Sequence, residues 1–197
     1  MSVFSYRLIV SLIAPLFFLA GCGINDIPSY DEATKAAWSQ VLNQYKRRAD
    51  LVPNLVSTVK SYATHERETL EAVMAARSKA TSQNIPPDIM NNPEAFKEFQ
   101  KNQNQLTGAL SRLMAVVENY PNLKANENFL ALQSQLESTE NRIAVARRDY
   151  IGAMQKYNTE LRTFPGRIWA AILYRDMKPG QNFTQPEEVE KAPEVKF

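Results

Sequence analysis

Very few side chains in this sequence have the type and spacing that catalysis or metal binding requires. The chain has one cysteine, Cys22, and one histidine, His65, and no acidic residue stands three positions before that histidine. Carboxylate metal sites in helical bundles use a Glu-x-x-His spacing. Neither a glycine-rich phosphate loop nor a Gly-x-Ser-x-Gly turn is present. We therefore expect no catalytic residue, no metal and no cofactor, and a solvated His65.

Cys22 is the one side chain whose surroundings indicate a modification. Arg7 precedes an apolar segment, residues 8–19, which is shorter than the roughly 20 apolar residues of a transmembrane helix. Leu19-Ala20-Gly21-Cys22 then resembles the lipobox of bacterial lipoproteins. That resemblance implies a cleaved signal peptide over residues 1–21 and a lipidated Cys22, whose thiolate can accept a lipid. An uncleaved anchor with an incidental cysteine is the alternative.

The expected lipid would hold the chain at a membrane. Two or more acyl chains make a stable anchor where one does not. Residues 22–29 are expected to be a short tether to the folded part. The residue after the lipid site is Gly23 rather than aspartate, and in Gram-negative bacteria of the enteric type this favours the periplasmic face of the outer membrane.

The charge balance gives no indication of a nucleic-acid partner. Lysine and arginine total 23 and aspartate and glutamate 21, a formal net charge of +2, and no basic stripe with interleaved aromatic residues is present. Lys46-Arg47-Arg48 is a short basic run. We interpret it as a solvated helix face, with a phosphate or lipid-headgroup contact as the alternative.

A seven-residue repeat of large apolar residues predicts a long helix from Asn126 to Phe164, with Asn126 as its cap. Such a repeat keeps one stripe of the helix against partner helices. The Tyr side chains of this stripe are expected in a core with their hydroxyls at a polar edge. The repeating positions are Phe129, Leu136, Ile143, Tyr150, Tyr157 and Phe164.

A second apolar stripe predicts a first helix from Asp31 to Ser82, with Ser29 as its N-cap. Pro53 interrupts it without changing the phase of the stripe. We therefore expect a kinked but continuous helix, and a chain reversal at Asp50–Pro53 is the alternative. The stripe runs through Trp38, Leu42, Tyr45, Ala49, Val52, Val56, Val59, Ala63, Leu70 and Val73, and Glu66 is the one polar residue at a stripe position.

Between these two lies a shorter helix, from Pro93 to Asn119, with Asn92 as its cap. The predicted fold is all-α: an antiparallel bundle of three long helices, the first kinked or split at Pro53, and the split would give a four-helix up-down variant. If the first helix is continuous, the shorter one cannot cover it. Trp38, Leu42 and Tyr45 would then project as an exposed candidate interaction surface.

The bundle is expected to occupy residues 30–166. Residues 167–183 form an apolar segment that is predicted to pack against the end of the bundle, with an interfacial membrane contact through Trp169 and the flanking arginines as the alternative. From Pro179 onward the composition is typical of disorder, apart from an anchor at Phe183. Residues 184–197 are expected to be a disordered tail.

Three segments together resemble the LemA family of bacterial membrane-associated proteins. The resemblance implies an all-α antiparallel bundle on an N-terminal membrane segment, with no assigned activity and no known catalytic or cofactor residues. Family members commonly keep an uncleaved transmembrane helix, whereas a lipobox replaces it here. The segments are Tyr45–Val56, Tyr120–Phe129 and Glu140–Arg148, the last continuing to Tyr157-Asn158 and Phe164-Pro165.

Anchor, bundle and resemblance together predict a non-enzymatic, lipid-anchored protein of the cell envelope. We expect a scaffold or adaptor whose partners are the membrane, through Cys22, and another protein or a second copy of the chain. Two other classes stay open. The bundle core could carry a hydrophobic ligand, or inward carboxylates of the bundle could form a metal enzyme. Glu66 and Glu160 stand at stripe positions and would need partners or a nearby helix end. Gln103 could satisfy one of them or set the helix register.

Overall fold

The computed structural model describes residues 23–82 and 85–183, and the secondary structure of that part of the chain is entirely helical. The expected all-α fold class is therefore confirmed. The predicted signal peptide, Cys22 and the predicted disordered tail lie outside the described residues. The helices are α1 (Asp26–Lys60), α2 (Arg67–Ser82), a 3-10 turn (Ile89–Asn91), α3 (Pro93–Val117), α4 (Pro121–Lys124), α5 (Glu127–Glu160) and α6 (Gly166–Ile172).

α1 and α5 lie side by side in opposite directions. At one end, the Asn126 side-chain nitrogen donates to the Tyr62 hydroxyl over 2.9 Å. At the other end, Ile27 shares an apolar cluster with Tyr157 and Leu161. The two helices have 35 and 34 residues, so each covers the other along its whole length.

α2 and α3 form a second antiparallel pair. The Gln103 amide nitrogen donates to the Ala80 carbonyl over 3.4 Å, near the end of α2. The Tyr120 hydroxyl donates to the Glu66 carboxylate over 2.8 Å, just before α2 begins. Glu66 thus finds its hydrogen-bond partner at a helix end rather than inside the core.

The chain reverses between Ser61 and Glu66, where our sequence interpretation expected continuous helix. The Ala63 amide still donates to the Val59 carbonyl, and the Leu70 amide donates to the Glu66 carbonyl. Ala63 is fully buried in the turn. The apolar stripe keeps its spacing through the turn, so periodicity alone does not reveal it.

α1 continues through Pro53, as expected, and no split occurs there. Proline has no amide hydrogen, so the carbonyl four residues earlier, that of Ala49, loses its helical partner. Arg77 of α2 supplies a replacement, because its Nε donates to the Ala49 oxygen over 2.7 Å. The same hydrogen bond ties α2 to α1.

The predicted start of the first helix at a Ser29 cap is wrong. α1 begins at Asp26, after Asn25. Pro28 fits inside the first turn because amides there have no partner within the helix. The other two predicted caps are confirmed: Asn92 accepts from the Ala95 amide and Asn126 from the Phe129 amide, each over 3.1 Å.

The seven-residue stripe of α5 is buried at every position within the helix. The prediction fails only at Phe164, which lies beyond the end of α5 and is exposed. The stripe crosses two apolar clusters. One contains Phe129 and Leu136, and the other contains Ile143, Tyr150 and Tyr157.

The segment before residue 184 is held against α5. Asn158 donates to the Gly180 carbonyl over 3.0 Å and accepts from the Gly180 amide over 2.9 Å. The Tyr150 hydroxyl donates to the Gln181 carbonyl over 2.7 Å. Phe183 is buried, so the expected anchor is present, and the ordered backbone before it extends further than composition predicted.

Candidate interaction site

The described residues contain no group of three or more His, Cys, Asp or Glu side chains that could hold a metal ion. His65 is exposed, as expected. Glu160 ends α5 and is partly exposed rather than enclosed in the core. No helix in this part of the chain is long and apolar enough to cross a membrane.

Among residues 23–82 and 85–183, the most enclosed charge is that of Arg48 of α1, which has only 1% of its surface exposed. Its Nη1 donates to the Thr107 hydroxyl over 2.8 Å and to the Glu140 carboxylate over 3.0 Å. Its Nη2 donates to the Gln103 carbonyl and side-chain oxygens over 3.2 and 2.7 Å. The guanidinium carbon lies 5.0 Å from the centre of the Tyr45 ring. Arg48 therefore joins α1 to α3 and α5.

This finding corrects our interpretation of Lys46-Arg47-Arg48 as one solvated face. Lys46 and Arg47 are exposed, but Arg48 is in the core. The Gln103 side-chain oxygen accepts from Arg48 and does not pair with a carboxylate of the apolar stripe. The available signal was that Arg48 and Gln103 lie on or beside their apolar stripes.

The Arg48 contacts lie between the two apolar clusters. On α1 the boundary falls between Tyr45 and Val52, and on α3 it falls between Phe99 and Leu106. Arg48 and Gln103 occupy these gaps. Only one alignment of α1 and α3 brings the polar groups of Arg48 and Gln103 together. The contacts between these two residues therefore specify the register of the two helices.

Trp38, Leu42 and Tyr45 do not project from the structure, so the expectation that they are exposed is wrong. Trp38 and Tyr45 are buried, and Leu42 packs partly buried against their cluster. The reason is the early chain reversal, which makes α1 as long as α5 and leaves no uncovered end. The Trp38 ring centre lies 5.5, 5.2, 5.3 and 6.1 Å from those of Phe96, Phe99, Tyr150 and Phe183.

Burial of this cluster changes the ionisation of its tyrosines. Burial raises the pKa of Tyr45, and it also raises the pKa of Tyr150. It raises the pKa of Tyr157 to about 12. The hydroxyls of Tyr150 and Tyr157 serve as hydrogen-bond donors, to the Gln181 carbonyl over 2.7 Å and to the Lys178 carbonyl over 3.2 Å. The tyrosines are structural groups, as their positions on the stripe predicted.

A basic groove runs along the outer side of α2 and α3. Of the described residues that line it, none is acidic, and its exposed cations are Lys79, Lys97, Lys101 and Arg112. Polar side chains such as Asn104 and Gln105 lie between these cations. The arrangement can bind a chain segment that carries several carboxylates.

The residue that follows Cys22 lies beside the loop that leads into α6. Gly23 has φ +84°, a left-handed conformation that glycine adopts without strain. A Cβ at Gly23 would lie 3.4 Å from the Pro165 ring. Trp169 packs against the neighbouring apolar cluster, as expected for the apolar segment. Gly23, at the start of the described chain, and α6 therefore lie at the same end of the molecule.

Comparison with known proteins places the chain in a family. A family model described as LemA family matches residues 37–197, so the chain belongs to the LemA family. Magnetosome protein MamQ 2 of Paramagnetospirillum magneticum is 26% identical over 183 residues, which cover 84% of this chain and 67% of that protein. Protein LemA of Metamycoplasma hominis is 26% identical over 158 residues, covering 76% and 68% respectively. The expected family resemblance is confirmed.

Proposed function

We propose that this protein is a lipid-anchored, non-enzymatic scaffold of the cell envelope. The observation that carries the proposal is the Leu19-Ala20-Gly21-Cys22 sequence directly before the folded chain. Only Gly23, Ile24 and Asn25 separate Cys22 from α1, and four Cα–Cα steps span at most about 14 Å. A lipid on Cys22 would therefore hold the helices at the membrane surface.

The helices themselves form the scaffold in this proposal. The antiparallel pairs α1–α5 and α2–α3, joined by Arg48 and Arg77, support one four-helix up-down bundle. Similarity to proteins named for the magnetosome supports a part in a larger cellular structure. In a Gram-negative cell, Gly23 favours the periplasmic face of the outer membrane as the site of action.

Cys22→Ala tests the anchor in cells. The variant is expected to remain an unprocessed precursor of higher mass and to incorporate no labelled fatty acid, because the accepting thiol is gone. Wild-type protein is expected to incorporate the label and to sediment with membranes. Normal labelling of the variant would refute lipidation at Cys22.

The basic groove is the surface that we assign to a protein partner, and an acidic segment of that partner is its occupant. Crosslinking in intact cells, followed by identification of the captured protein, tests this assignment. The double variant Lys97→Glu/Lys101→Glu is expected to lose the crosslinked product, since it reverses two charges of the groove. Lys156→Glu on the exposed side of α5 is the matched control. Equal capture by the wild type, the double variant and the Lys156→Glu control would exclude the groove as the binding surface for the partner.

A further inference from the structure

α6 and its flanking residues present four large apolar side chains to solvent. Phe164 is 78% exposed, Ile168 43%, Ile172 58% and Leu173 53%. Ile168 and Ile172 lie one helical turn apart and so share a face. Single exposed apolar residues are normal on a protein surface. Four such residues within ten positions form an apolar patch, and patches of this kind mark protein or membrane interaction sites.

The opposite side of α6 fixes it in place. Trp169, Ala170 and Tyr174 pack against the cluster that contains Trp38 and Tyr150. The Arg175 Nε donates to the Ala171 carbonyl over 2.9 Å and closes the end of the helix. The exposed face therefore has one fixed orientation relative to the rest of the fold.

The position of this patch indicates what covers it. The Pro165 ring, next to Phe164, lies 3.4 Å from the position that a Cβ on Gly23 would occupy, and Gly23 immediately follows Cys22. A lipid on Cys22 would thus leave the folded chain beside Phe164. The acyl chains would bring the bilayer surface to the same end of the molecule as the patch.

The charges around the patch fit phospholipid headgroups. Arg162, Arg167 and Arg175 are all exposed. Residues 160–178 contain four basic side chains, these three and Lys178, against two acidic ones, Glu160 and Asp176. Apolar side chains with arginines at the headgroup level are the composition of interfacial membrane-binding helices.

We propose that Phe164, Ile168, Ile172 and Leu173 form a membrane-contacting foot, which inserts into the bilayer interface next to the lipid on Cys22. The inference rests on the proposed lipid anchor and adds a second contact that sets the orientation of the molecule. One acylated residue alone would leave the bundle free to tilt and rotate. The foot would hold it with α6 against the bilayer surface.

The test uses the mature lipidated protein in vesicles of phosphatidylethanolamine and phosphatidylglycerol. Acylated Cys22 has no free thiol, so Ile172→Cys provides one site for an environment-sensitive fluorophore. Leu130→Cys is the matched control, because Leu130 is 50% exposed and lies near the opposite end of α5. We expect a blue-shifted emission at position 172, with quenching by spin-labelled lipid at least about twofold stronger than at position 130.

Three results would contradict the foot. If the protein floats with the vesicles but the label at 172 behaves as in water, the foot is wrong and the anchor stands. If the shift disappears below one protein per vesicle, a second copy covers the patch. If the protein does not float with the vesicles, the anchor is wrong and the foot falls with it.

Discussion

Arg48 and Arg47 are neighbouring residues of one type with opposite environments. Arg48 has four hydrogen-bond contacts in the core, whereas Arg47 is exposed on α1. Arg48→Ala is expected to lower the free energy of unfolding by roughly 1–3 kcal/mol, because it leaves the buried side-chain oxygen of Gln103 without its charged donor. Chemical denaturation measures this value.

Arg47→Ala is the control for that substitution. A solvated arginine contributes little, so the change is expected to stay within about 0.5 kcal/mol. Similar losses for Arg47→Ala and Arg48→Ala would mean that Arg48 does not hold the three helices together.

The buried tyrosines are expected to make the stability of the fold sensitive to alkaline pH. Burial raises the pKa of Tyr157 from 10.0 to about 12. The folded state therefore favours the neutral hydroxyl, so this stabilisation is complete below pH 10 and is lost as the pH rises towards about 12. Denaturant unfolding at increasing pH should show the loss, and Tyr157→Phe should reduce it. A variant that loses stability over this range as steeply as wild type would contradict the assignment.

At the residue scale, local rules predicted the caps at Asn92 and Asn126, missed the one at the start of α1 and did not predict the buried charge. Asn92 and Asn126 were predictable because a cap depends on four consecutive residues and their backbone. Arg48 was not, because a Lys-Arg-Arg run is usually a solvated surface. Its partners Gln103 and Glu140 come from helices that only the tertiary fold brings near.

Pro53 and Arg77 form a pair that explains why α1 stays continuous. Arg77→Met leaves the Ala49 carbonyl without its 2.7 Å hydrogen bond, and we expect a loss of roughly 1–3 kcal/mol in unfolding free energy. Pro53→Ala restores an amide that can donate to Ala49. The loss from Arg77→Met should therefore be smaller in the Pro53→Ala background, and a double-mutant cycle measures the difference.

Two results bear on this pair. Arg67→Met, at an exposed arginine of the same helix, should change stability by at most about 0.5 kcal/mol. Additive effects of Pro53→Ala and Arg77→Met would contradict the link between the proline and the arginine.

The stripe of α5 gives the most direct test of its packing. Ile143 is buried between the helices, so Ile143→Asp places an unpaired charge in the core and should cost several kcal/mol of stability. Arg148→Asp, at a largely exposed side chain of α5, should have little effect. Thermal unfolding followed by circular dichroism compares the two. Equal shifts in melting temperature would mean that the stripe does not face the core.

At the element scale, periodicity predicted the helices and their buried faces but not where the first one turns. Pro53 was the visible interruption, yet Arg77 satisfies the backbone there. The real reversal at Ser61–Glu66 contains neither glycine nor proline. Its apolar residue, Ala63, keeps the helical spacing, so the turn is set by tertiary contacts such as that of Tyr120 with Glu66.

At the scale of the whole molecule, the chain reversal decides which surfaces stay exposed. It buries Trp38 and Tyr45, so the candidate surface inferred from unequal helix lengths is part of the core. The basic groove on α2 and α3 and the apolar foot at α6 are the exposed features with distinct chemistry. The foot lies beside Gly23, and the groove follows the α2–α3 pair.

The central claim is that a lipid on Cys22 holds this bundle directly at a membrane. Mass spectrometry of the N-terminal peptide from membrane-purified protein tests it most directly. We predict a peptide that begins at Cys22 and carries a thioether-linked diacylglycerol, with no peptide from residues 1–21. An unmodified Cys22 within an intact N-terminal segment would contradict the claim.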